Sequence, residues 1–141
     1  MTSIIYTIGH SNHSIQKFVH LLTYNKIQTL FDVRSVPYSR FAHFNMNKLS
    51  ETLSHVHVEY CFIGDKLGGR ISDPACYLAG VVPTKKTGIA GLLDYDAVIK
   101  RDPFTEGINI LIRCAGQSVI ALMCSEENPQ LCHRRLLIGR R

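Results

Sequence analysis

The sequence predicts a single α/β domain, with a mostly parallel sheet of about four strands and helices packed on its faces. Short apolar, β-branched runs alternate with longer segments whose apolar residues recur at helical spacing, which is typical of this class. The chain has 141 residues, of which 45% are hydrophobic and 19% charged. These values fit one ordered domain with a core and exclude a disordered chain. We therefore treat residues 1–141 as one domain.

The first quarter of the chain predicts a strand, a helix and a second strand. Residues 3–8 form a short apolar run that stops at Gly9, and we predict a buried strand there. Ser14 suits the N-cap of an amphipathic helix, and Asn25 suits its end. Residues 27–33 give the second strand. A strand–helix–strand unit of this kind makes parallel, right-handed neighbours.

The middle of the chain predicts a helix, a strand and an irregular segment. The helix is expected to follow Asn45 or Asn47, whose amide side chains suit an N-cap. Residues 58–63 form a third apolar run, which ends at Gly64. Residues 71–91 contain prolines and scattered glycines, so we predict irregular structure for them.

The last third of the chain predicts a helix, a fourth strand and a final helix. Asp102-Pro103 opens the first of these helices, and Gly116 ends it. Its predicted core face consists of Phe104, Ile108, Leu111, Ile112 and Ala115. Residues 119–123 give the strand, and the final helix begins at residues 128–129.

The cysteine count, the N-terminus and the net charge narrow the class of protein. Five cysteines without a CxxC pair do not form a disulfide framework, so we expect reduced thiols and a cytoplasmic location. The N-terminus lacks the basic start and long apolar stretch of a signal peptide or membrane anchor, so no membrane association is expected. A formal charge of +5 is consistent with solubility alone and also with affinity for nucleic acid.

Polar motifs follow each predicted strand. The carboxyl ends of parallel strands meet at one edge of the sheet, where helix N-termini point N–H donors at a ligand. We therefore expect these motifs to form an anion-binding site. They are Gly9-His10-Ser11, Asp32-Val33-Arg34-Ser35, Pro37-Tyr38-Ser39-Arg40, Leu67-Gly68-Gly69-Arg70, Cys124-Ser125-Glu126 and Cys132-His133-Arg134.

The same motifs resemble the family known as domain of unknown function 488. The resemblance is carried by residues 7–11, 32–40, 67–70 and 121–134. It implies an α/β fold, and it implies no settled activity. Members of the family continue through a longer helix into another strand, so the resemblance also implies that this chain is shortened at its C-terminus. A missing strand would expose a sheet edge through which the chain could oligomerise.

Arginines in these motifs suit an anionic ligand, because guanidinium groups pair with phosphate or carboxylate through two parallel hydrogen bonds. We expect at least one of them to be structural, for example Arg34 pairing with Asp32 or Glu126. The glycine pair fits a close backbone approach to an anion, and a simple turn is the alternative. The predicted substrate-binding residues are Gly9, Ser11, Asp32, Arg34, Arg40, Gly68, Gly69, Arg70 and Arg134.

Cys124 is the leading candidate for a nucleophile. It ends a buried strand beside a helix start and arginines, and such surroundings lower the pKa of a thiol. His133 or His10 would accept its proton, and Glu126 would act as a general acid–base group. Inert packing of Cys124 is an equally open alternative.

No cofactor or metal site is predicted. Cys132 and His133 are adjacent on a helix and point in different directions, so they do not suit one metal ion. Two functions remain open. The first is an enzyme that acts on a phosphate-bearing substrate, either a nucleotide or a nucleic acid. The second is a non-catalytic nucleic-acid-binding or accessory module, which the interleaved aromatic and basic side chains of residues 38–44 favour.

Overall fold

The computed structural model describes residues 4–68, 71–78, 80, 82 and 93–125. Within these residues four strands form one sheet in the order β1-β4-β2-β3, and all neighbours are parallel. The strands are β1 (Ile5–Gly9), β2 (Thr29–Asp32), β3 (Glu59–Phe62) and β4 (Ile120–Cys124). The predicted α/β class with a parallel sheet is confirmed.

Helices connect the strands and cover both faces of the sheet. They are α1 (Ile15–Tyr24), α2 (Met46–Ser54), α3 (Gly64–Leu67), α4 (Tyr95–Ile99) and α5 (Asp102–Ala115). Two short 3-10 turns, Ala42–Phe44 and Pro74–Cys76, lie between them. In the described ranges, no helix is long and apolar enough to cross a membrane.

Two apolar cores lie on opposite faces of the sheet, because successive side chains of a strand point to opposite sides. Strand β4 contributes to both and is buried along its whole length. Ala121 and Met123 pack with α1 and α2, whereas Leu122 and Cys124 pack with α5. A strand buried on both faces reads as a continuous apolar run, which explains why the sequence signal for β4 was clear.

The predicted helix boundaries are largely confirmed. The Ser14 side chain accepts a hydrogen bond from the Lys17 amide at 3.1 Å, as an N-cap should, and Asn25 ends α1. Asn45 precedes α2, but its side chain makes no capping bond. The Asn45 Oδ1 atom instead accepts from the Ser39 amide at 2.7 Å. This bond ties the start of α2 to the loop that follows β2.

The predicted core is wrong in two places, one on β1 and one on α5. Ile5 and Tyr6 on β1 are each 38% exposed, because β1 lies at the edge of the sheet beside β4. Ile112 is 61% exposed, since α5 buries a narrower stripe that runs through Phe104 and Leu111. The predicted final helix at residues 128–129 lies outside the described residues. Oligomerisation through the exposed edge stays a prediction.

Candidate active site at the carboxyl edge of the sheet

The loops that follow β1 and β4 stay side by side beyond the sheet. Gly9 and Cys124 are partners in the parallel register. The next two residues continue the pairing, because the His10 amide donates to the Cys124 carbonyl and the Ser11 amide donates to the Ser125 carbonyl, each at 2.9 Å. Ser11 itself has a left-handed backbone with φ of 44°, a conformation that non-glycine residues seldom adopt. The chain therefore turns at Ser11, which is still paired with the loop after β4.

The loop that follows β2 bends back over the same edge. The Val33 amide donates to the Met123 carbonyl at 3.1 Å, which keeps the start of this loop beside β4. Farther along, the Phe41 amide donates to the Ser39 hydroxyl at 3.1 Å. Together with the bond from the Ser39 amide to Asn45, this contact fixes the short segment that carries Arg40.

These loops enclose an open cleft of about 560 Å³. Its lining residues are His10, Ser11, Asn12, Tyr38, Ser39, Arg40, Phe41 and Ser125. Three residues predicted for the site, His10, Ser11 and Arg40, therefore share one cleft. Arg40 is exposed, and its guanidinium carbon lies 4.9 Å from the centre of the Phe41 ring, within the range of a cation–π contact.

A buried ion pair closes the end of β2 beneath this edge. Asp32 is fully buried and Arg34 almost so. The Arg34 Nε and Nη2 atoms donate to Asp32 Oδ1 and Oδ2 at 2.8 and 2.7 Å, the bidentate geometry that makes such pairs strong. The Tyr60 hydroxyl also donates to Oδ2, at 2.5 Å. Arg34 thus adopts the structural pairing with Asp32 that the sequence left open.

Asp32 stabilises the charged form of Arg34 in the core. Burial acts to lower the pKa of Arg34, but the hydrogen bonds and charge of Asp32 outweigh burial and the pKa is raised. Burial, followed by the hydrogen bond to Asp32, raises the pKa of Tyr60. The phenol therefore stays protonated and keeps donating. Arg34 Nη2 also donates to the Phe44 carbonyl at 2.8 Å, which links the pair to the 3-10 turn.

His10 forms the most deeply buried part of the cleft lining, with 3% of its surface exposed. Its ring stacks on Phe44, with ring centres 4.4 Å apart and planes at 23°. Its Nδ1 atom lies 2.9 Å from the Ser11 carbonyl oxygen. Because a carbonyl only accepts hydrogen bonds, Nδ1 carries a hydrogen. In a neutral ring Nε2 is then an acceptor.

Several effects set the pKa of His10. Burial is the largest and lowers it, and the charges of Arg34 and His43 lower it further. The hydrogen bond to Ser11 and the charge of Asp32 act in the opposite direction, but the net pKa is lowered. His10 is therefore a neutral imidazole at physiological pH.

Two buried polar side-chain atoms have no hydrogen-bonding partner within the described ranges, His10 Nε2 and Arg34 Nη1. A buried polar group without a partner costs about 1–3 kcal/mol of stability. Both atoms belong to residues at the carboxyl edge. Unpaired buried polar groups are rare in folded proteins, and a functional role is one physical explanation for them.

The family model described as Domain of unknown function DUF488 matches residues 14–140 of the chain. The chain belongs to this family. The match runs from the start of α1 to beyond β4, and it confirms the resemblance to this family. Neither the curated proteins nor the solved structures include a match to this chain.

Glycines let the elements of this DUF488 chain approach closely behind the edge. A Cβ atom on Gly64 would lie 1.7 Å from the Arg34 carbonyl oxygen, so no side chain fits there. A Cβ on Gly68 would lie 2.5 Å from Ser35 Oγ. The predicted anion-binding role of Gly68 stays a prediction, while its packing against the loop after β2 already accounts for a glycine.

Cys124 is buried in the core on the α5 side of the sheet, together with Val33 and Leu122. His10 stacks on Phe44, which belongs to the core on the α1 and α2 side. The two predicted partners in proton transfer are therefore directed to different faces. This placement favours the packing alternative for Cys124 in the DUF488 chain, and its role as a nucleophile stays a prediction.

The remaining predicted site residues lie outside the described residues. They are Gly69, Arg70, Glu126, His133 and Arg134. Among the residues that the structure does describe, no group of three or more histidine, cysteine or acidic side chains could hold a metal ion. Sequence reasoning missed Tyr60, whose hydroxyl group completes the buried network around Asp32 and Arg34. Tyr60 lies on β3 and offered no local polar motif that could have revealed it.

Proposed function

We propose that the cleft at the carboxyl edge of the sheet binds a phosphate-bearing substrate, either a nucleotide or a nucleic acid. One observation carries the proposal: His10, Ser125 and Arg40 come from three separate post-strand loops and line the same cleft. Ligands of parallel α/β sheets bind at this edge, where such loops converge.

Arg40 supplies the positive charge for the phosphate. It is exposed and lines the cleft, whereas Arg34 already forms an ion pair with Asp32. A guanidinium group binds phosphate oxygens through parallel hydrogen bonds. The hydroxyl groups of Ser11 and Ser39, which also line the cleft, are suitable further donors to the same group.

Aromatic side chains beside Arg40 favour a nucleotide over a simple phosphate. Tyr38 is 63% exposed, and Phe41 lies under the Arg40 guanidinium. Both rings line the cleft. Bases stack on exposed rings while neighbouring cations bind phosphate, and each such stack contributes about 1–3 kcal/mol.

The proposal is tested by calorimetric titration of the protein with adenosine 5′-monophosphate and with inorganic phosphate. The substitution Arg40→Gln removes the charge and keeps a polar side chain of similar reach. We expect it to weaken nucleotide binding about tenfold or more, the effect of losing a charge-assisted hydrogen bond.

The matched control is Arg113→Gln, since Arg113 is an exposed arginine on α5 that does not line the cleft. It should leave binding unchanged. If nucleotide fails to bind, or if the two variants bind equally well, the proposal is wrong.

A second candidate function is a non-catalytic nucleic-acid-binding module. The exposed Tyr38 next to Arg40 favours it, because this pairing is typical of single-stranded nucleic-acid sites. A salt series with a short single-stranded oligonucleotide separates a mononucleotide pocket from a broad nucleic-acid-binding surface. Each phosphate contact lowers the logarithm of the association constant by about 0.7 for every tenfold increase in salt concentration. A broad basic surface makes several such contacts and loses affinity steeply. A mononucleotide pocket centred on Arg40 makes about one contact and loses affinity with the slope of that single contact.

A further inference from the structure

We infer that His10 acts in the cleft as a hydrogen-bond acceptor, so that the substrate carries a hydroxyl group close to its phosphate, as ribonucleotides and sugar phosphates do. The inference rests on the proposed phosphate site and narrows its substrate class. Neither the family nor the polar motifs of the sequence specify this feature.

The position of the His10 ring is fixed by two contacts. Its Nδ1–H group donates to the Ser11 carbonyl, and its face stacks on Phe44. Flipping the ring by 180° would keep the stack but break the hydrogen bond to Ser11. The Nε2 lone pair is therefore the remaining hydrogen-bond acceptor of the ring, and Nε2 has no partner among the described residues.

Burial keeps the His10 ring neutral, because it is the largest influence on the pKa of His10 and lowers it. Arg34 and His43 lower the pKa further, whereas the hydrogen bond to Ser11 and the charge of Asp32 oppose them without reversing the net shift. A neutral ring with hydrogen on Nδ1 accepts at Nε2 and donates nothing there. An unprotonated phosphate oxygen, which also only accepts, cannot satisfy this atom.

A hydroxyl group satisfies His10 Nε2, because this atom has no partner among the described residues and needs a donor. The His10 ring lines the cleft, although Nε2 itself is covered in this conformation. The inference therefore requires side chains of the cleft wall to move aside when the ligand binds, and such rearrangements are common on binding.

The test compares adenosine 5′-monophosphate with its 2′,3′-dideoxy analogue, which keeps the base and the phosphate and lacks both ribose hydroxyls. We expect the analogue to bind about tenfold more weakly, the effect of one buried hydrogen bond. Nitrogen-15 NMR of the histidine side chains of the unmodified protein should show His10 neutral at pH 7, with its hydrogen on Nδ1.

Two variants make the comparison specific to His10. In His10→Asn the amide nitrogen can still donate to the Ser11 carbonyl, but the Nε2 acceptor is lost. In His10→Phe the ring that stacks on Phe44 is kept. In either variant that folds, the two nucleotides should bind with equal affinity.

The outcomes separate this inference from the function on which it rests. If neither nucleotide binds the unmodified protein, the proposed phosphate site is wrong and the inference falls with it. If both bind equally well, or if NMR finds the hydrogen of His10 on Nε2, the phosphate site stands and the acceptor role of His10 is wrong.

Discussion

Two clefts of similar size lie at opposite ends of the sheet. The cleft at the amino end has a volume of about 640 Å³, and the one at the carboxyl end about 560 Å³. The amino-end cleft is lined by Ile4, Tyr6, Asn25, Lys26, Gln28 and residues 115–119. By size alone, the amino-end cleft would be the stronger candidate for a ligand-binding site. The chemistry of the residues behind each cleft instead favours the carboxyl end.

The difference lies in the buried polar groups. Within the described ranges, the buried polar or charged side chains are His10, Asp32 and Arg34, and each lies at or just beyond the carboxyl end of a strand. Burying such groups is costly unless they are paired. At the amino end, the exposed Gln28 side chain accepts a hydrogen bond from the Val119 amide at 2.8 Å, which joins the residue before β2 to the residue before β4. The amino end is stabilised by backbone turns, and the carboxyl end carries unpaired polar atoms.

The largest expected effect comes from breaking the ion pair at the carboxyl end. Asp32→Asn keeps the shape of the side chain and removes its charge, leaving the buried Arg34 guanidinium uncompensated. We expect a loss of about 3–5 kcal/mol in the free energy of unfolding, as for other buried pairs from which one partner is removed. Urea denaturation measures the loss.

The matched variant at the amino end is Gln28→Ala, which removes one neutral hydrogen bond to Val119. It should cost about 1 kcal/mol. Equal losses for Asp32→Asn and Gln28→Ala would mean that the buried polar groups at the carboxyl end stabilise the fold no more than the exposed hydrogen bond at the amino end.

A smaller effect is expected from filling the space behind the carboxyl edge. Gly64→Ala brings a Cβ atom to 1.7 Å from the Arg34 carbonyl oxygen, so the backbone must shift. We expect a loss of about 3 kcal/mol, near the upper end for overpacked positions. Thermal unfolding monitored by circular dichroism gives the change.

Gly116 provides the control, since a Cβ there lies 3.5 Å from the Arg113 carbonyl oxygen, an ordinary van der Waals distance. Gly116 has a right-handed backbone with φ of -74°, so Gly116→Ala should change stability by less than about 1 kcal/mol. If Gly64→Ala is tolerated equally well, α3 does not need its close contact with the loop after β2.

The sequence predicted those features that depend on local pattern. The alternation of strands and helices identified the sheet class, and the N-cap at Ser14 is confirmed. It also predicted that the post-strand motifs would meet, and His10, Ser11 and Arg40 do line one cleft. These features follow from residues that are close in the chain or from the geometry common to all parallel sheets.

Features that depend on strand order could not be predicted. Tyr60 lies 28 positions from Asp32 in the chain and reaches it because β3 pairs with β2. The Phe44 carbonyl that holds Arg34 belongs to a 3-10 turn, which has no periodic signal. The separation of Cys124 from the His10 stack depends on which face each side chain occupies. A shift of register by one residue would reverse that face.

The smallest expected effect is a pH dependence that His10 gives to the carboxyl end. Its folded pKa is lowered by burial, with Arg34 and His43 adding to the effect and Ser11 and Asp32 opposing it. In the unfolded chain the histidine has its ordinary pKa of about 6.5, so the unfolded chain takes up a proton at this histidine more readily than the folded chain does. As pH falls below about 6.5, stability is therefore lost, and the loss ends once the pH is below the lowered folded pKa.

This contribution can be at most about 1.4 kcal/mol per pH unit, the limit for one proton. The measurement is a series of urea denaturations between about pH 5 and pH 8 for the unmodified protein, for His10→Phe and for His55→Gln, whose histidine is exposed. His10→Phe should flatten the slope below about pH 6.5, whereas His55→Gln should leave it unchanged. An unchanged slope in His10→Phe would mean that the ring takes up its proton as readily in the folded chain as in the unfolded one. His10 would then not be a neutral hydrogen-bond acceptor at the carboxyl edge. The two ends of the sheet would differ only by the buried ion pair of Asp32 and Arg34.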